Sequence, residues 1–241
     1  YWVQVTDANG NVANNRFTVL GDADPAIVTA GLRMDSYFSA NSLDFPALGS
    51  AEFNGTSDYV QLDTPFSYTN HTIAAWVYVH NAGGSKEIFN SMDAVDDGIR
   101  LFARSTEEIK YSVNTNDLTS SSSYADEWVY VVGTYDGTTQ KLYINGSEDQ
   151  SGATSQTVST TADATIGALN YSLSNYFNGN LANVAIWNRA LHPDEINSIM
   201  WKSYSELDAV QKNGLQAWYA LDDITGTTVP DSTGTNNGTA N

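Results

Sequence analysis

The sequence predicts an all-β chain, a two-sheet antiparallel β-sandwich with one short helix near its C-terminus. Three observations predict it. From about Ala26 to Ala168 the chain is a succession of short strand-like runs joined by Gly, Asn, Asp and Ser turns. Helical periodicity appears only after Pro193, where Ile196, Ile199, Met200 and then Leu207 recur on one side. The length, 241 residues, is enough for one sandwich to bury a full core. Strand alternation then assigns Trp76, Val77, Trp128, Val131, Ile144, Ile166 and Ile186 to the space between the sheets.

In chain order, Trp2 to Val5 and Arg16 to Leu20 alternate around a turn at Asp7 to Asn11, a hairpin signal, and Gly21 to Pro25 follow as a linker. Strand patterns recur at Ala51 to Val60, at Thr72 to Val77, and from Trp128 through Asp136-Gly137 and Lys141 to Asn145-Gly146. Thr119 to Ser123 reads as a solvated loop. Gly179 to Trp187 is an apolar strand ending in an aromatic, followed by a tight Asn188-Arg189-Ala190-Leu191 corner. His192-Pro193-Asp194-Glu195 then opens a helix, with Pro at its first positions and two acids where the dipole favours negative charge. From Asn213 a further strand, Gly214 to Asp223, leads into an Asp/Asn-rich loop at Asp231 to Thr239.

In that order, the segments from Ala51 to Ile196 resemble a laminin-G-like domain of the concanavalin A-like jelly-roll class, over roughly the middle two-thirds of the chain. The lead-in resembles the last two strands of a bacterial immunoglobulin-like repeat. The resemblances divide the chain into residues 1–22, the end of an immunoglobulin-like repeat or a leading hairpin; 23–205, the jelly roll; and 206–241. This last part either starts a second laminin-G-like repeat or closes the first one. Tyr1 opens directly on a strand pattern with no basic segment before it, so the chain reads as a mature segment or an excised fragment.

Charge and composition narrow the partners. Ten Lys and Arg stand against 28 Asp and Glu, a formal charge of −18, which repels phosphate backbones and anionic lipid surfaces. Nucleic acid is therefore excluded as a partner. No apolar run approaches the ~20 residues that span a bilayer, which excludes insertion by a helix. The chain has no cysteine, a composition compatible with bacterial cell-surface and viral proteins. The expected location is extracellular, at a cell surface or on a virion.

Catalytic signals are weak. Glycoside hydrolysis needs two facing carboxylates, about 5–5.5 Å apart for retention and ~6.5–9.5 Å for inversion. Jelly-roll glucanases take theirs from a Glu-x-Asp-x-x-Glu strand, and the nearest match, Glu206-Leu207-Asp208-Ala209-Val210-Gln211, lacks the final acid and follows a helix. His71, His80 and His192 are scattered outside any nucleophile or metal motif. The chain is not expected to be an enzyme.

The laminin-G-like resemblance implies a calcium ion at the sandwich rim. Where that family often reads Ile-Asp-Glu-Val, this chain reads Leu181-Ala182-Asn183-Val184, without the acid. Hard oxygen donors on turns remain at Asp231, Asn236 and Asn237, and at Asp93, Asp96 and Asp97. For the second cluster the alternative is a solvated hairpin turn. Tyr59, Tyr124, Tyr171 and Tyr176 lie near turns and are the candidates for stacking on a sugar ring, whereas Trp76, Trp128, Trp187 and Trp218 fall within strand patterns and read as core. Five Asn-x-Ser/Thr matches, at Asn54, Asn70, Asn145, Asn170 and Asn237, arise in a chain dense in Asn turns.

The expected function is a noncatalytic adhesion or glycan-recognition module of a surface-exposed multidomain protein, binding a glycan or another surface protein. Two alternatives stay open, a viral capsid-decoration or fibre protein that assembles with neighbouring capsid proteins, and an accessory domain of a polysaccharide-degrading enzyme.

Overall fold

The computed structural model describes residues 2–6, 12–16, 49–80, 83–93 and 97–241. The chain divides into two units, residues 1–45 and 46–241. In the first, β1 (Trp2–Thr6) and β2 (Val12–Arg16) pair antiparallel, Trp2 opposite Arg16 and Thr6 opposite Val12. The predicted hairpin is present, with its second strand earlier than the alternation suggests. Phe17 to Leu20, the rest of that expected strand, lie outside the described residues, as does the predicted linker.

The second unit is the sandwich. Its strands are β3 (Ala51–Asn54), β4 (Val60–Leu62), β5 (His71–Val79), β6 (Lys86–Asn90), β7 (Ile99–Ala103), β8 (Glu108–Val113), β9 (Asn116–Ser123), β10 (Trp128–Tyr135), β11 (Thr139–Ile144), β12 (Ser147–Ala153), β13 (Thr165–Ile166), β14 (Asn178–Trp187), β15 (Leu215–Tyr219), β16 (Thr228–Val229) and β17 (Gly238–Ala240). An α-helix, α1 (Pro193–Ile199), follows β14, and a single 3-10 turn at Tyr204–Glu206 comes after it. A seven-stranded sheet has the order β12-β11-β10-β5-β14-β15, with β3 also on β14. The other sheet has eight strands in the order β16-β17-β4-β13-β6-β7-β8-β9. Among the described residues the pairings between these strands are antiparallel. The segment after Asn213 contributes to both sheets, β15 alongside β14 and β17 alongside β4.

Cross-strand register explains the core. Val60, Ile166, Phe89, Leu101, Tyr111 and Leu118 are successive partners across the eight-stranded sheet, and all six are buried and apolar or aromatic. They meet Ile73, Ala75, Val77 and Val79 of β5 and Val129, Val131 and Tyr135 of β10, all members of one cluster. Burying each large aliphatic or aromatic side chain there contributes roughly 1.5–3 kcal/mol. Asn145 and Gly146 both adopt positive φ, +50° and +81°, the conformation of the two-residue turn that joins β11 to β12.

Five of the seven predicted core residues, Val77, Val131, Ile144, Ile166 and Ile186, belong to that cluster. Trp76 and Trp128 do not. Trp76 alternates with Val77 and points to the opposite face of its sheet, where its ring lies 4.8 Å from that of Trp201 and its Nε1 donates to the Met200 carbonyl at 2.9 Å. Trp128, half-buried, stacks edge-on to Tyr78 on the same face, with ring centroids 5.6 Å apart. Trp187 and Trp218 also meet edge to face, at 6.2 Å. The seven-stranded sheet thus carries a second aromatic layer, fastened by the segment after β14; the Trp187 indole donates to Gln211 O at 2.8 Å.

The corner after β14 is a clamp. The guanidinium of Arg189 donates to both carboxylate oxygens of Glu195, at 2.8 and 2.6 Å, and to the carbonyls of Asn213 and Val210. Those hydrogen bonds are the leading reason that the Glu195 carboxyl sits below the usual carboxylate range. Glu195 also completes a capping box on His192, accepting from the His192 backbone N–H at 2.9 Å. The Thr72 hydroxyl donates to Arg189 O and accepts from Leu191 N–H, tying the corner to β5. Arg189→Ala is expected to lower stability by about 2–3 kcal/mol, because charge-assisted bonds and two carbonyl partners are lost together. Arg189→Lys should restore less than half, since an ammonium cannot form the fork. Urea unfolding midpoints of the three proteins check this; an Ala variant as stable as the parent would refute it.

Candidate functional site

The outer face of the eight-stranded sheet is organised by the same register that builds the core. One position along from the apolar row, the partners across all eight strands are Thr228, Thr239, Gln61, Thr165, Asn90, Arg100, Ser112 and Asp117, every one polar. A second outward row runs Glu87, Phe102, Lys110, Thr119. Thr165, Asn90 and Glu87 are nonetheless fully buried, because the loop between β13 and β14 folds over them. The Thr165 hydroxyl donates to Ala168 O at 2.5 Å, Asn175 Nδ2 donates to Glu87 Oε1 at 3.3 Å, and Glu87 N–H donates to Asn175 O at 3.0 Å.

Beside the loop, β7, β8 and β9 carry a shelf of charged side chains over buried Phe102 and Ser112, with Arg100 and Lys110 only partly exposed. Glu87, taken out of water, is held by the Arg100 guanidinium, which donates from Nε to Oε2 at 2.8 Å and from a terminal nitrogen to Oε1, and by Asn90 Nδ2. Burial alone would lower the Arg100 pKa, but the hydrogen bond and charge of Glu87, with the nearby Asp117 and Tyr171, outweigh it and leave it raised. The guanidinium carbon sits 3.7 Å above the Phe102 ring and the Lys110 ammonium 5.5 Å from it. Asp117 at the outer edge accepts from both Lys110 and Ser112.

The loop is itself braced. Leu169 N–H donates to Ser174 O at 2.9 Å, the Ser172 and Ser174 hydroxyls lie 2.8 Å apart, and Asn170 Nδ2 donates to Asp163 O at 3.0 Å. Leu173 and Asn175 take the left-handed conformation, φ +43° and +52°. For leucine that conformation is strained, and such strain persists only where the surroundings over-determine it. Its outcome is exposure: Tyr171 is 49% and Leu173 40% exposed, two of the four exposed large hydrophobic residues among the described residues.

Of the four candidate tyrosines, Tyr171 stands exposed on the loop, close enough for its charge to act on Arg100, and Tyr176 belongs to the same loop, its ring 6.3 Å from that of Tyr59. Tyr124 is placed elsewhere, packed against the core with its N–H donating to Glu107 O. Sequence reasoning missed Arg100, Glu87, Phe102, Lys110 and Asp117. The alternation in Ile99–Ala103 and Glu108–Val113 puts Arg100, Phe102, Lys110 and Ser112 on outward positions, but only register shows them side by side.

The candidate metal residues are employed otherwise. Asp231 is 3% exposed. Its Oδ1 accepts from the backbone N–H of Trp218 and Thr233, and its Oδ2 from the Thr233 hydroxyl and the N–H of Thr235 and Asn236. Asn236 bridges Thr64 and Gln216, and Asn237 Oδ1 accepts from Asp231 N–H. The three residues are together, yet their oxygens brace the loop; a calcium ion, which needs about six to eight oxygen ligands, does not fit this arrangement. Asp97 accepts from Ser159 and donates its N–H to Asp93 Oδ1, while Asp96 lies outside the described residues. Among the described residues no group of three or more His, Cys, Asp or Glu is arranged around a metal position. Glu206 and Asp208 likewise cap local turns, on Ser203 and on Val210 with Gln211.

Residues 54–197 match the Laminin_G_3 family, described as the Concanavalin A-like lectin/glucanases superfamily. The chain belongs to this family. Among solved structures, this family member resembles a candidate carbohydrate-binding protein from Bacteroides ovatus, with a TM-score of 0.67 and 19% identity over 80% of this chain and 57% of that one. It thus spans little more than half the length of that protein. It also resembles a heptameric SAP-like pentraxin from Limulus polyphemus, TM-score 0.51, 15% identity, 65% of this chain and 88% of that one. A third likeness is the CBM40 of a Ruminococcus gnavus IT-sialidase bound to α2,3-sialyllactose, TM-score 0.50, 12% identity, 64% and 99%. At these identities the likeness is one of fold. No curated protein matches the chain by sequence. Among the described residues no helix is long and apolar enough to cross a membrane.

Proposed function

We propose that this chain is a noncatalytic glycan-recognition module of a surface-exposed, multidomain extracellular protein, and that it binds its glycan on the outer face of the eight-stranded sheet. The observation that carries this reading is the braced loop on which Tyr171 and Leu173 stand exposed, tied through Asn175 to the Glu87 that holds Arg100. Sugar sites combine an apolar or aromatic surface, against which the C–H face of the ring packs, with a few fixed polar groups that read hydroxyls. Tyr171 supplies the first. Arg100, already oriented by Glu87 and Phe102, supplies the second at little entropic cost. The carbohydrate-binding descriptions of two of the neighbouring folds support the same reading.

Tyr171→Ala is expected to weaken binding of a recognised glycan about tenfold, or ~1.4 kcal/mol, while leaving the melting temperature within a degree or two, since the ring is half in solvent. Glycan-array screening followed by calorimetry on the parent and the variant provides the test. Equal affinities in the two proteins would remove Tyr171 from the site, and the absence of binding across the array would overturn the glycan reading.

A further inference from the structure

We infer that the shelf selects uncharged glycans and discriminates against sugars bearing carboxylate or sulfate groups, an inference that rests on the glycan-binding reading above. Its basis is charge bookkeeping on one face. The shelf carries two cations, Arg100 and Lys110, and each is already engaged by its own carboxylate, Glu87 and Asp117. The four charges sum to zero. Lys86, the next cation along β6, is opposite Ala103, a core residue, and so falls on the other face of the sheet. Arg104, at the end of β7, pairs with Glu108 at 3.6 Å.

An anionic sugar arriving at this face would therefore meet no unneutralised cation. An ion pair with Arg100 through its remaining N–H groups would share a cation whose charge the fully buried Glu87 already neutralises, and one with Lys110 would compete with Asp117, whose carboxylate also accepts from Ser112. It would also approach a chain of formal charge −18, a repulsion that salt screens over about 8–10 Å. A hydroxyl-bearing neutral sugar has no such difficulty. Glu87 engages Nε and one terminal nitrogen of Arg100, which leaves the other terminal nitrogen's N–H groups to donate to hydroxyl oxygens. The Asp117 carboxylate, more than a third exposed, can accept from sugar hydroxyls.

The test uses oligosaccharide pairs that differ in one charged group, lactose against α2,3-sialyllactose and galactan hexamers against galacturonan hexamers, titrated calorimetrically at about 20 mM and about 200 mM salt. For each pair in which either member binds, the neutral member is expected to bind at least tenfold tighter at low salt, with the gap narrowing at high salt. Asp117→Asn, which uncovers Lys110, should shift the ratio toward the acidic member by at least threefold. Equal or tighter binding of the acidic member would overturn this inference and leave the glycan reading standing. If no member of any pair bound, on the array or in solution, the glycan reading would fall and this inference with it.

Discussion

Gly133→Ala is expected to destabilise the sandwich by about 3 kcal/mol and to lower its melting temperature by roughly 6–12 °C. A Cβ at position 133 would lie 2.3 Å from Cδ2 of Tyr111 and 2.6 Å from two more of its ring carbons. The ring is fully buried between the sheets, and its hydroxyl is hydrogen-bonded to His71 Nε2 at 2.6 Å. Moving the ring therefore strains the packing, ordinarily about 1–3 kcal/mol for an added methyl group in a filled core, and breaks a buried hydrogen bond worth ~1 kcal/mol. Thermal unfolding followed by circular dichroism measures the effect. A midpoint within two degrees of the parent would show that the ring has somewhere to go.

The second large effect is a loss of stability in mild acid. His71 is fully buried, with Nδ1–H donating to Tyr68 O at 2.7 Å and Nε2 accepting from Tyr111, so both ring nitrogens are satisfied by the neutral tautomer. Burial pushes its pKa down to about 4, against the weaker opposing pull of the Tyr68 and Thr69 carbonyls. The unfolded chain takes up the proton near pH ~6.5. Above that value His71 is neutral in both states and its contribution is complete. As pH falls from about 6.5 to about 4 the unfolded state is protonated and the folded state is not, so about 3 kcal/mol is lost, and below about 4 this group adds no further loss. Carboxylates titrate at the lower end of that window, so the informative quantity is a difference. His71→Asn cannot bind the proton, and its stability should fall less steeply than the parent's between pH 6.5 and 4. Parallel curves, from urea unfolding at a series of pH values, would contradict the buried neutral imidazole.

Local chemistry was readable in the sequence, and long-range register was not. The corner at Asn188 to Leu191 and the helix start at Pro193 rest on partners within a few residues, apart from the ties to Thr72, Val210, Asn213 and Gly214. The tryptophans went to the wrong side for a physical reason. Seven of the nine residues of β5 are buried in an unbroken run from His71 to Val77, because the aromatic layer covers one face and the other sheet covers the second. A strand covered on both faces loses the alternation that would tell inside from outside. Tyr171, Tyr59 and Tyr176 could be picked out as aromatics near turns, but the ion pair on the same sheet face could not. Arg100 and Glu87 are 13 residues apart, and nothing in either segment alone says that they will be joined. Asp231 shows the converse: an Asp, Asn and Thr loop reads as a set of metal ligands until its backbone N–H groups turn inward and take up the same oxygens.

The assignment of the glycan to the outer face of the eight-stranded sheet is tested most directly by backbone amide shift mapping. The isotope-labelled chain is titrated with the tightest-binding neutral oligosaccharide found by calorimetry. Shifts concentrated in residues 99–119 and 167–177, the shelf and its bordering loop, are the expected result. Shifts confined to the other sheet, around Tyr78 and Trp128, would place the glycan elsewhere and contradict the assignment.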